Sequence, residues 1–371
     1  MELETSEKIE QNQPQKKRRF WLWFFISLLI LAAAVGTFFY KAGFTFSQMN
    51  VNQGGGILPI SEDAPKIEKD PDRINILLLG LRGPNDPNGG LLTDTMMILS
   101  IKQSTGQVAI ISIPRDLFIK MPTESGKSGS QAIKEKINFA YALGEERKQS
   151  GGLVYAKVAV QAVTGLFIDH VVSVNFLAFK DVVDILGGVD IHLNKPFIED
   201  QQWVDSGDAG PSSAFFIKTE TATSSAGVTQ KQKWVFEIPA GTSHLDGNTA
   251  LYYARARYSS NDFNRVERQQ QLLLAIKDRA TSLGILLNPV KIFELLDTMG
   301  KNVRTDMSLE DINNMIGLSK NLDFKNINKK VFDTTPEGLL YSTTNEKGAY
   351  ILLPVGDNYD KIREACRNIF Q

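Results

Sequence analysis

The 371-residue chain has little cysteine, little histidine and almost no net charge. Cys366 is its one cysteine, so no intramolecular disulfide and no CxxC metal or redox site can form. The three histidines are scattered, and the H-E-x-x-H and G-x-S-x-G patterns of metalloproteases and serine hydrolases are absent. A formal net charge of -1 argues against a general nucleic-acid binder, which normally has an excess of basic residues.

The longest hydrophobic run covers residues 20–40, FWLWFFISLLILAAAVGTFFY, and contains no charged residue. As a helix it would span about 30 Å, the thickness of the hydrocarbon core of a bilayer. It is longer than the ~7 to 15 apolar residues of a cleaved signal peptide, so it indicates a transmembrane anchor. Four basic residues, 16–19, directly precede it. The positive-inside rule therefore predicts a single-pass protein of the cell membrane, with residues 1–19 in the cytoplasm and the remainder outside it.

The chain beyond this run alternates between strand and helix patterns. Residues 41–72 contain glycine and proline without an apolar period and are predicted to form a stalk. Short runs of branched apolar residues predict buried strands at 73–80, 96–102, 107–113 and 171–176. Helical spacing and terminal glycines predict helices at 152–165 and 177–188. This alternation predicts a three-layer α/β/α domain with a central mixed sheet, and the polar segment 200–233 is predicted to be a loop insertion.

The segment YYARARYSSNDFNRVERQQ (252–270) concentrates arginine within a chain of nearly balanced charge. Its four arginines are opposed by only two acids: Arg255, Arg257, Arg265 and Arg268 against Asp262 and Glu267. A planar and permanently charged guanidinium suits paired binding of phosphate oxygens, so the cluster indicates a polyanionic ligand. Arginines on a solvated helix face, paired with nearby acids, are the alternative interpretation.

The predicted local structure favours the phosphate interpretation. Asp246 is a suitable N-cap for one short helix, and a second helix is predicted to begin near Asp262. Arg265, Arg268 and Gln269 then share one face of the second helix, close to its N-terminus. Free backbone N–H groups and the helix dipole favour an anion at such a position.

Five motifs follow one another along the chain: LLTDTMMILSI (91–101), ISIPRDLFI (111–119), KINFAYALG (136–144), VVDILGGVDIHL (182–193) and ARARYSSNDFNRVERQQ (254–270). Together they resemble the LytR-CpsA-Psr family over residues 73–280, and residues 281–371 resemble the C-terminal α/β extension that packs on the same domain. The resemblance implies a phosphotransferase that moves a glycopolymer from a polyprenyl-pyrophosphate carrier to a hydroxyl of an envelope glycan acceptor. Anchoring by one N-terminal membrane helix also resembles the family.

The resemblance implies roles for individual residues. The pyrophosphate would be bound by Arg115, Lys136, Arg255, Arg257, Arg265 and Gln269. The catalytic residues would be Asp94, Arg115, Arg255 and Arg257, and Asp94 would also hold a magnesium ion. Five further residues are candidates for the same site: Arg82, Asp116, Asn138, Asp262 and Arg268.

The chain departs from the family pattern after the first strand. The family reads G-x-D there and supplies a second magnesium carboxylate, whereas this chain reads Gly80-Leu81-Arg82. An arginine cannot ligate a cation. Asp86, in the same loop, is the alternative second ligand, because magnesium often takes only one or two protein carboxylates. The other alternative is that Arg82 itself supplies the positive charge.

Two functions from different classes remain open at the level of the sequence. Asp94 and the arginines favour a transferase, whereas the substitution at Arg82 favours a scaffold that binds the lipid carrier without reaction. Residues that could line an apolar slot for the carrier, or belong to an ordinary core, are Leu153, Val158, Val163, Phe167, Phe176 and Phe179. A nucleic-acid partner is excluded, because the 19 residues before the span are too few for a DNA-reading domain.

Overall fold

The computed structural model describes residues 67–84, 90–122, 133–147, 151–202, 212–224, 227–260, 262–280, 300, 302–319 and 321–371. The predicted cytoplasmic tail, the predicted membrane helix and most of the predicted stalk lie outside these residues, as does Asp86. Within the described part of the chain, no helix is both long and apolar enough to cross a membrane.

A six-stranded mixed sheet forms the centre of the fold. Its strands are β1 (Arg73–Leu81), β2 (Thr93–Lys102), β3 (Gln107–Ser112), β6 (His170–Asn175), β12 (Val303–Thr305) and β13 (Asp323–Val331). They lie in the order β12-β6-β1-β2-β3-β13, with β6 parallel to β1, β13 parallel to β3 and the other neighbours antiparallel. The prediction of an α/β fold with a central mixed sheet is confirmed.

Helices pack on both faces of this sheet. They are α1 (Ala140–Arg147), α2 (Gly152–Thr164), α3 (Phe176–Ile185), α4 (Gly247–Arg255), α5 (Asp262–Ala280), α6 (Leu309–Ser319) and α7 (Asp360–Arg367). Strand side chains alternate between faces, so Leu77 and Leu79 share one buried face and pack in one core with α1, α2 and α7. On the opposite face the buried Gln270 of α5 donates a hydrogen bond of 2.8 Å to Ser112 Oγ. Helix α5 is therefore tied to β3 beside the carboxyl end of the strand.

Four smaller sheets complete the fold. Their strands are β4 (Phe118–Lys120), β5 (Lys134–Lys136), β7 (Val189–Leu193), β8 (Phe197–Glu199), β9 (Phe215–Ser224), β10 (Gly227–Ile238), β11 (Gly241–Leu245), β14 (Leu340–Thr344) and β15 (Tyr350–Pro354). They pair as β4 with β5, β7 with β11, β14 with β15, and β8-β10-β9 as a three-stranded sheet.

Within the segment 200–233, residues 215–224 and 227–233 form strands where a loop was predicted. Strands β9 and β10 form a long antiparallel hairpin whose pairing runs from Phe236↔Phe215 to Gly227↔Ser224. Lysine, threonine and glutamine occupy both alternating sets of positions here, so the sequence has no apolar period of two residues. Backbone hydrogen bonds hold the strands, and aromatic side chains pack at their base, where Phe215 meets Tyr252 with ring centroids 4.8 Å apart.

The C-terminal segment belongs to the central fold. Strands β12 and β13 form the two edges of the central sheet. Phe332, Leu352 and Ile362 are buried in the same core as the first strands. Residues 302–371 therefore complete the domain that residue 73 begins.

Candidate active site

The ends of adjoining strands bring the predicted polar residues to one edge of the central sheet. Because β1 and β3 run antiparallel to β2, the end of β1, the start of β2 and the end of β3 meet there. These ends carry Arg82, Asp94 and Arg115 respectively. The parallel strand β6 also ends at this edge, with Asn175 opposite Leu81. The edge at the carboxyl ends of parallel strands is a common ligand position in open α/β sheets.

A β-bulge directs Asp94 into the site. Gly80 pairs with Thr95 and Leu81 pairs with Thr93, so Asp94 is left over between two paired residues. A side chain at position 80 would have no room, since a Cβ there would lie 2.9 Å from Thr95 Cβ. Because glycine has no Cβ, β1 and β2 can approach closely at Gly80 and Thr95, beside the bulge at Asp94.

Asp94 is the negative centre of an arginine cluster. Arg115 Nη1 donates a hydrogen bond of 2.5 Å to Asp94 Oδ1, and Arg82 Nε lies 3.4 Å from Asp94 Oδ2. Arg265 Nη2 lies 3.4 Å from the backbone oxygen of Asp94. Burial raises the pKa of the Asp94 carboxyl, but Arg115, Arg265 and Arg82 outweigh burial, so its pKa is below the ordinary value. Asp94 is consequently ionised at neutral pH.

Helix α5 contributes a buried arginine from the opposite side of the site. Arg265 is 4% exposed, and its two terminal nitrogens each lie 3.0 Å from an oxygen of Asp262. Burial, with repulsion from Arg115, lowers the pKa of the Arg265 guanidinium to about 10, although Asp262 and Asp94 partly oppose the shift. Asp262 also lies 3.9 Å from Arg115 Nη2. Asp262 is therefore a shared counter-ion for two arginines.

Three buried side-chain atoms of the cluster make no hydrogen bond. They are Arg115 Nε, Arg265 Nε and Gln269 Oε1. Arg115 Nε lies 3.5 Å from Asp116 Oδ2 without hydrogen-bonding to it. Buried polar atoms normally have a partner, and the two arginine nitrogens are donors that suit an anion, whereas Gln269 Oε1 is an acceptor.

Helix α4 and the segment that follows it supply two more arginines. Asp246 caps the helix by accepting a hydrogen bond of 2.7 Å from Thr249 N, as the sequence predicted. Arg255 ends the helix, and its guanidinium lies over the ring of Phe176 at 4.9 Å from the centroid. Arg257 follows after Ala256, whose backbone is extended. The helix end thus places both arginines beside the strand ends.

Arg268 is held away from the cluster. Its guanidinium donates to Tyr253 O at 3.0 Å, to Ser260 Oγ at 3.2 Å and to Ala256 O, and it lies over the ring of Phe197. These partners hold the loop between α4 and α5. Arg268, a candidate site residue in the sequence, therefore lines neither cavity, because α5 directs Arg265 and Gln269 toward the site and Arg268 toward the loop.

A second ion pair lies beyond Arg115. Lys136 Nζ is 2.6 Å from Asp116 Oδ1, which joins β5 to the turn after β3. The backbone nitrogen of Asn138 donates to Arg115 O at 3.3 Å, and Thr93 Oγ1 donates to Asn138 O at 3.2 Å. The KIN motif is therefore attached to the same strand ends as Asp94 and Arg115.

Two cavities meet at the arginine cluster. The polar cavity, of about 410 Å³, is lined by Arg82, Leu92, Asp94, Arg115, Asp116, Glu135, Lys136, Asn138, Phe139 and Arg257. The apolar cavity, of about 780 Å³, lies between the central sheet and helices α3 to α5. Its lining includes Arg255, Arg265 and Gln269 beside many apolar side chains. The residues common to both cavities are Arg82, Asp94, Arg115 and Arg257.

The apolar cavity contains only part of the predicted slot. Phe176 and Phe179 line it, together with side chains such as Leu272 and Ile276 of α5. Leu153 and Val163 instead belong to the core on the opposite face of the sheet, with α2. Val158 and Phe167 are also absent from its lining. For the α2 residues the core alternative therefore holds, because their apolar stripe packs on the other layer.

The comparison with known proteins decides the family. The model of the LytR_cpsA_psr family matches residues 47–368, which is most of the chain. The chain belongs to the LytR-CpsA-Psr family. The resemblance found in its motifs is therefore confirmed.

Two relatives of this LytR-CpsA-Psr protein are named as teichoic acid transferases. It is 27% identical over 327 residues to the polyisoprenyl-teichoic acid–peptidoglycan teichoic acid transferase TagU of Oceanobacillus iheyensis, over 83% of this chain and 84% of TagU. It is 25% identical over 351 residues to the transferase TagT of Bacillus subtilis, which has the same descriptive name, over 92% of this chain and 95% of TagT.

Solved structures share the fold of this family member. TagT bound to LIIa-WTA superposes with a TM-score of 0.56 at 22% identity, over 86% of this chain and 98% of TagT. The B. subtilis TagV structure gives a TM-score of 0.52 at 22% identity, over 80% of this chain and 97% of TagV. At these identities the likeness establishes the fold, including the central mixed sheet.

Sequence reasoning missed the residues that hold the arginine segment of this LytR-CpsA-Psr protein. Glu199 is fully buried and accepts hydrogen bonds from the backbone of Ser259 and from its hydroxyl, the latter at 2.6 Å. Gln202 Oε1 accepts a hydrogen bond of 2.8 Å from the backbone nitrogen of Arg257. Both contacts join positions more than fifty residues apart, and no local pattern in the sequence indicates them.

The acidic residues around Asp94 bear on the magnesium prediction. Among the described residues, no group of three or more histidine, cysteine, aspartate or glutamate side chains could hold a metal ion. Asp94 is the acidic side chain at the junction of the two cavities, and Asp86 lies outside the described residues. Magnesium therefore stays a prediction, and Asp94 is the one of its two predicted ligands that lies among the described residues.

Proposed function

We propose that the chain is a membrane-anchored extracytoplasmic phosphotransferase. It would take a glycopolymer from a polyprenyl-pyrophosphate carrier and attach it through phosphate to a hydroxyl of an envelope glycan. The observation that carries this proposal is the meeting of a polar and an apolar cavity at Arg82, Asp94, Arg115 and Arg257. A lipid-linked pyrophosphate needs both kinds of surface side by side, since its phosphates are anionic and its tail is apolar.

Family membership supports the reaction class. The names of TagU and TagT give a polyisoprenyl-linked teichoic acid as donor and peptidoglycan as acceptor for those proteins. This chain would use the same class of donor. Its cationic cluster recognises phosphate, which such donors share whatever glycan they carry.

The arginines would act by neutralising charge and fixing position. Phosphoryl transfer demands these two contributions from a protein, with little covalent chemistry of its own. Arg115 and Arg257 line the junction of the cavities and Arg265 lines the apolar cavity, and all three would bind the pyrophosphate oxygens. Arg255 and Gln269 would contact the phosphate from the apolar side, and the tail would lie along the apolar cavity.

Magnesium is part of the proposal, with Asp94 as the residue that would hold it. The Asp94 carboxylate is ionised and lies at the junction of the cavities, and one such ligand suits an ion that keeps water and substrate phosphate as its other ligands. A bound ion would neutralise part of the pyrophosphate charge. Arg115 and Arg82, which face the Asp94 oxygens, would then turn toward the phosphates.

The membrane helix at residues 20–40 is also part of the proposal. An anchor would hold the apolar cavity close to the bilayer that contains the carrier lipid. Deleting residues 1–40 should move the protein from the membrane fraction to the soluble fraction without unfolding it. Fractionation followed by circular dichroism checks this, and a deletion variant that stays in the membrane fraction contradicts it.

A transfer assay tests the proposed function. Full-length protein in detergent is given a polyprenyl-pyrophosphate-linked glycan, magnesium and an envelope glycan acceptor. A transferase releases polyprenyl monophosphate and forms a phosphodiester-linked glycan, both measurable by mass spectrometry. Protein that binds the donor and leaves its pyrophosphate intact would instead be a lipid-binding scaffold.

A further inference from the structure

The polar cavity contains more than a phosphate site requires. Apart from the four residues that it shares with the apolar cavity, its lining comprises Leu92, Asp116, Glu135, Lys136, Asn138 and Phe139. The set combines carboxylates, an amide, an amine and apolar side chains. Hydroxyl groups of a sugar find donors and acceptors in such a set, and an aromatic ring suits the apolar face of a sugar.

The position of the polar cavity agrees with the in-line geometry of phosphoryl transfer. In phosphoryl transfer the attacking and leaving oxygens lie roughly in line, on opposite sides of the phosphorus. If the lipid tail occupies the apolar cavity, as in the proposed function, the polyprenyl phosphate leaves toward that side. The attacking hydroxyl then arrives from the side of the polar cavity, because the two cavities share only the residues of the junction.

Two carboxylates at this site differ in the cavity that they line. Asp94 lines both cavities, and its two oxygens face Arg115 and Arg82, so it lies at the junction with the phosphates and not on the acceptor side. Asp116 lines the polar cavity but not the apolar one, with its side chain 15% exposed. Lys136 Nζ at 2.6 Å fixes the orientation of the Asp116 carboxylate, and Arg115 Nε lies 3.5 Å from its other oxygen.

We propose that the polar cavity is the acceptor subsite and that Asp116 is the general base. The acceptor hydroxyl oxygen forms a bond to the phosphorus that bears the glycan, and its proton passes to the Asp116 carboxylate. The bond from that phosphorus to the bridging oxygen breaks, and the electron pair leaves with the polyprenyl monophosphate. Glu135 and Asn138 hold further hydroxyl groups of the acceptor sugar. This assignment rests on the proposed function.

The test separates donor binding from transfer in the full-length protein. Asp116→Asn keeps the shape of the side chain and removes its basicity. We expect its affinity for a synthetic short-chain polyprenyl-pyrophosphate disaccharide to stay within about twofold of wild type, as measured by titration calorimetry. Transfer to the acceptor glycan should fall by about 100- to 10,000-fold, the usual contribution of a general base.

Two further variants keep the test decisive. Asp190→Asn is the matched control, because Asp190 is 55% exposed on β7, pairs with His244 and lines neither cavity. It should bind and transfer like wild type. Asp116→Ala should be inactive without additive and should regain transfer in formate, which places a small carboxylate in the vacated space.

The outcomes distinguish this assignment from the proposed function. Wild type that consumes no donor overturns the proposed function and, with it, this assignment. Active wild type with Asp116→Asn at a similar transfer rate overturns the base alone. So does an Asp116→Asn variant that loses donor affinity in proportion to transfer, or an Asp116→Ala variant that formate does not rescue, since either result makes Asp116 a positioning residue.

Discussion

At the scale of the residue, Arg265 illustrates how binding and stability oppose each other in this site. The side chain is almost fully buried, and two further guanidinium groups, those of Arg115 and Arg257, act on it. Burial and this repulsion lower its pKa to about 10, so the free protein holds a charge in an unfavourable environment. A bound anion would offset that cost, because it adds the negative charge that the cluster lacks.

Replacing Arg265 by glutamine should therefore separate the two properties. We expect the free energy of unfolding of Arg265→Gln to stay within about 1 kcal/mol of wild type, since lost contacts to Asp262 are offset by lost repulsion. The affinity for inorganic pyrophosphate should fall at least about tenfold, equivalent to ~1.4 kcal/mol. Urea unfolding and calorimetry measure the two quantities. Unchanged affinity for pyrophosphate would remove Arg265 from the phosphate site.

Asp94 makes the stability of the folded protein depend on pH. Its folded pKa lies below the ordinary value of 3.8, so its ionised form favours the folded state. The resulting stability is complete above the ordinary pKa and is lost as the pH falls through the folded pKa. In Asp94→Asn we expect a lower free energy of unfolding at pH 7, by about 1 to 3 kcal/mol.

The difference in the free energy of unfolding between wild type and Asp94→Asn should become smaller below about pH 4, where the wild-type carboxylate also loses its charge. Urea denaturation from pH 3 to pH 7 follows this difference. A constant difference over the whole range would mean that the arginines do not lower the pKa of Asp94.

At the scale of the element, the arginine segment after α4 depends on the chain at the end of β8. The fully buried carboxylate of Glu199 accepts from Ser259 and from the backbone nitrogens of Gln201 and Gln202, and Gln202 in turn accepts from Arg257 N. This network fixes the backbone that carries Arg257. Through this network, the chain that follows β8 at the base of the β9–β10 hairpin holds the arginine segment in place.

Replacing Glu199 by glutamine puts an N–H donor among these N–H groups. The free energy of unfolding should fall by about 1 to 3 kcal/mol, the usual cost of an unsatisfied buried group. Amide hydrogen exchange should become faster at Gln201, Gln202 and Ser259 before the rest of the domain. Glu364→Gln, at an exposed position on α7, is the control and should leave this exchange unchanged. Uniform acceleration along the chain would argue against a local role.

Helix α5 should control the room for the lipid tail. Leu273 lines the apolar cavity and not the polar one, so a larger side chain there fills the first and spares the second. We expect Leu273→Trp to weaken binding of a long-chain polyprenyl diphosphate at least about tenfold, or ~1.4 kcal/mol. Binding of inorganic pyrophosphate should stay the same, as should both affinities in Leu318→Trp on α6. Equal losses for both ligands would place the tail elsewhere.

Elements with a strong local signal were predictable from the sequence. The first strand was expected at 73–80 and lies at Arg73–Leu81, and the helix cap at Asp246 is present. The β9–β10 hairpin was missed, because strands that are polar on both faces have no period to detect. The apolar stripe of α2 was left open between slot and core, since periodicity indicates that a stripe is buried but not which layer covers it.

At the scale of the whole molecule, the site joins segments that are far apart in the sequence. Arg82, Asp94 and Arg115 come from one edge of the central sheet, Arg257 comes from the loop after α4, and Arg265 comes from α5. The family motifs placed Asp94, Arg115, Arg257 and Arg265 in one predicted site, because motif order carries information that no single element has, whereas Arg82 is the departure from the family pattern. The bulge at Asp94 and the separation of Arg268 from Arg265 depend on strand register and helix packing, so only the three-dimensional fold reveals them.

The most direct test of the central claim is a crystal structure of the full-length protein with a short-chain polyprenyl diphosphate. We expect the two phosphate groups to lie between Arg115, Arg257 and Arg265, with the tail beside Phe176 and Phe179. Diphosphate bound away from these arginines, or a tail outside the apolar cavity, would contradict it.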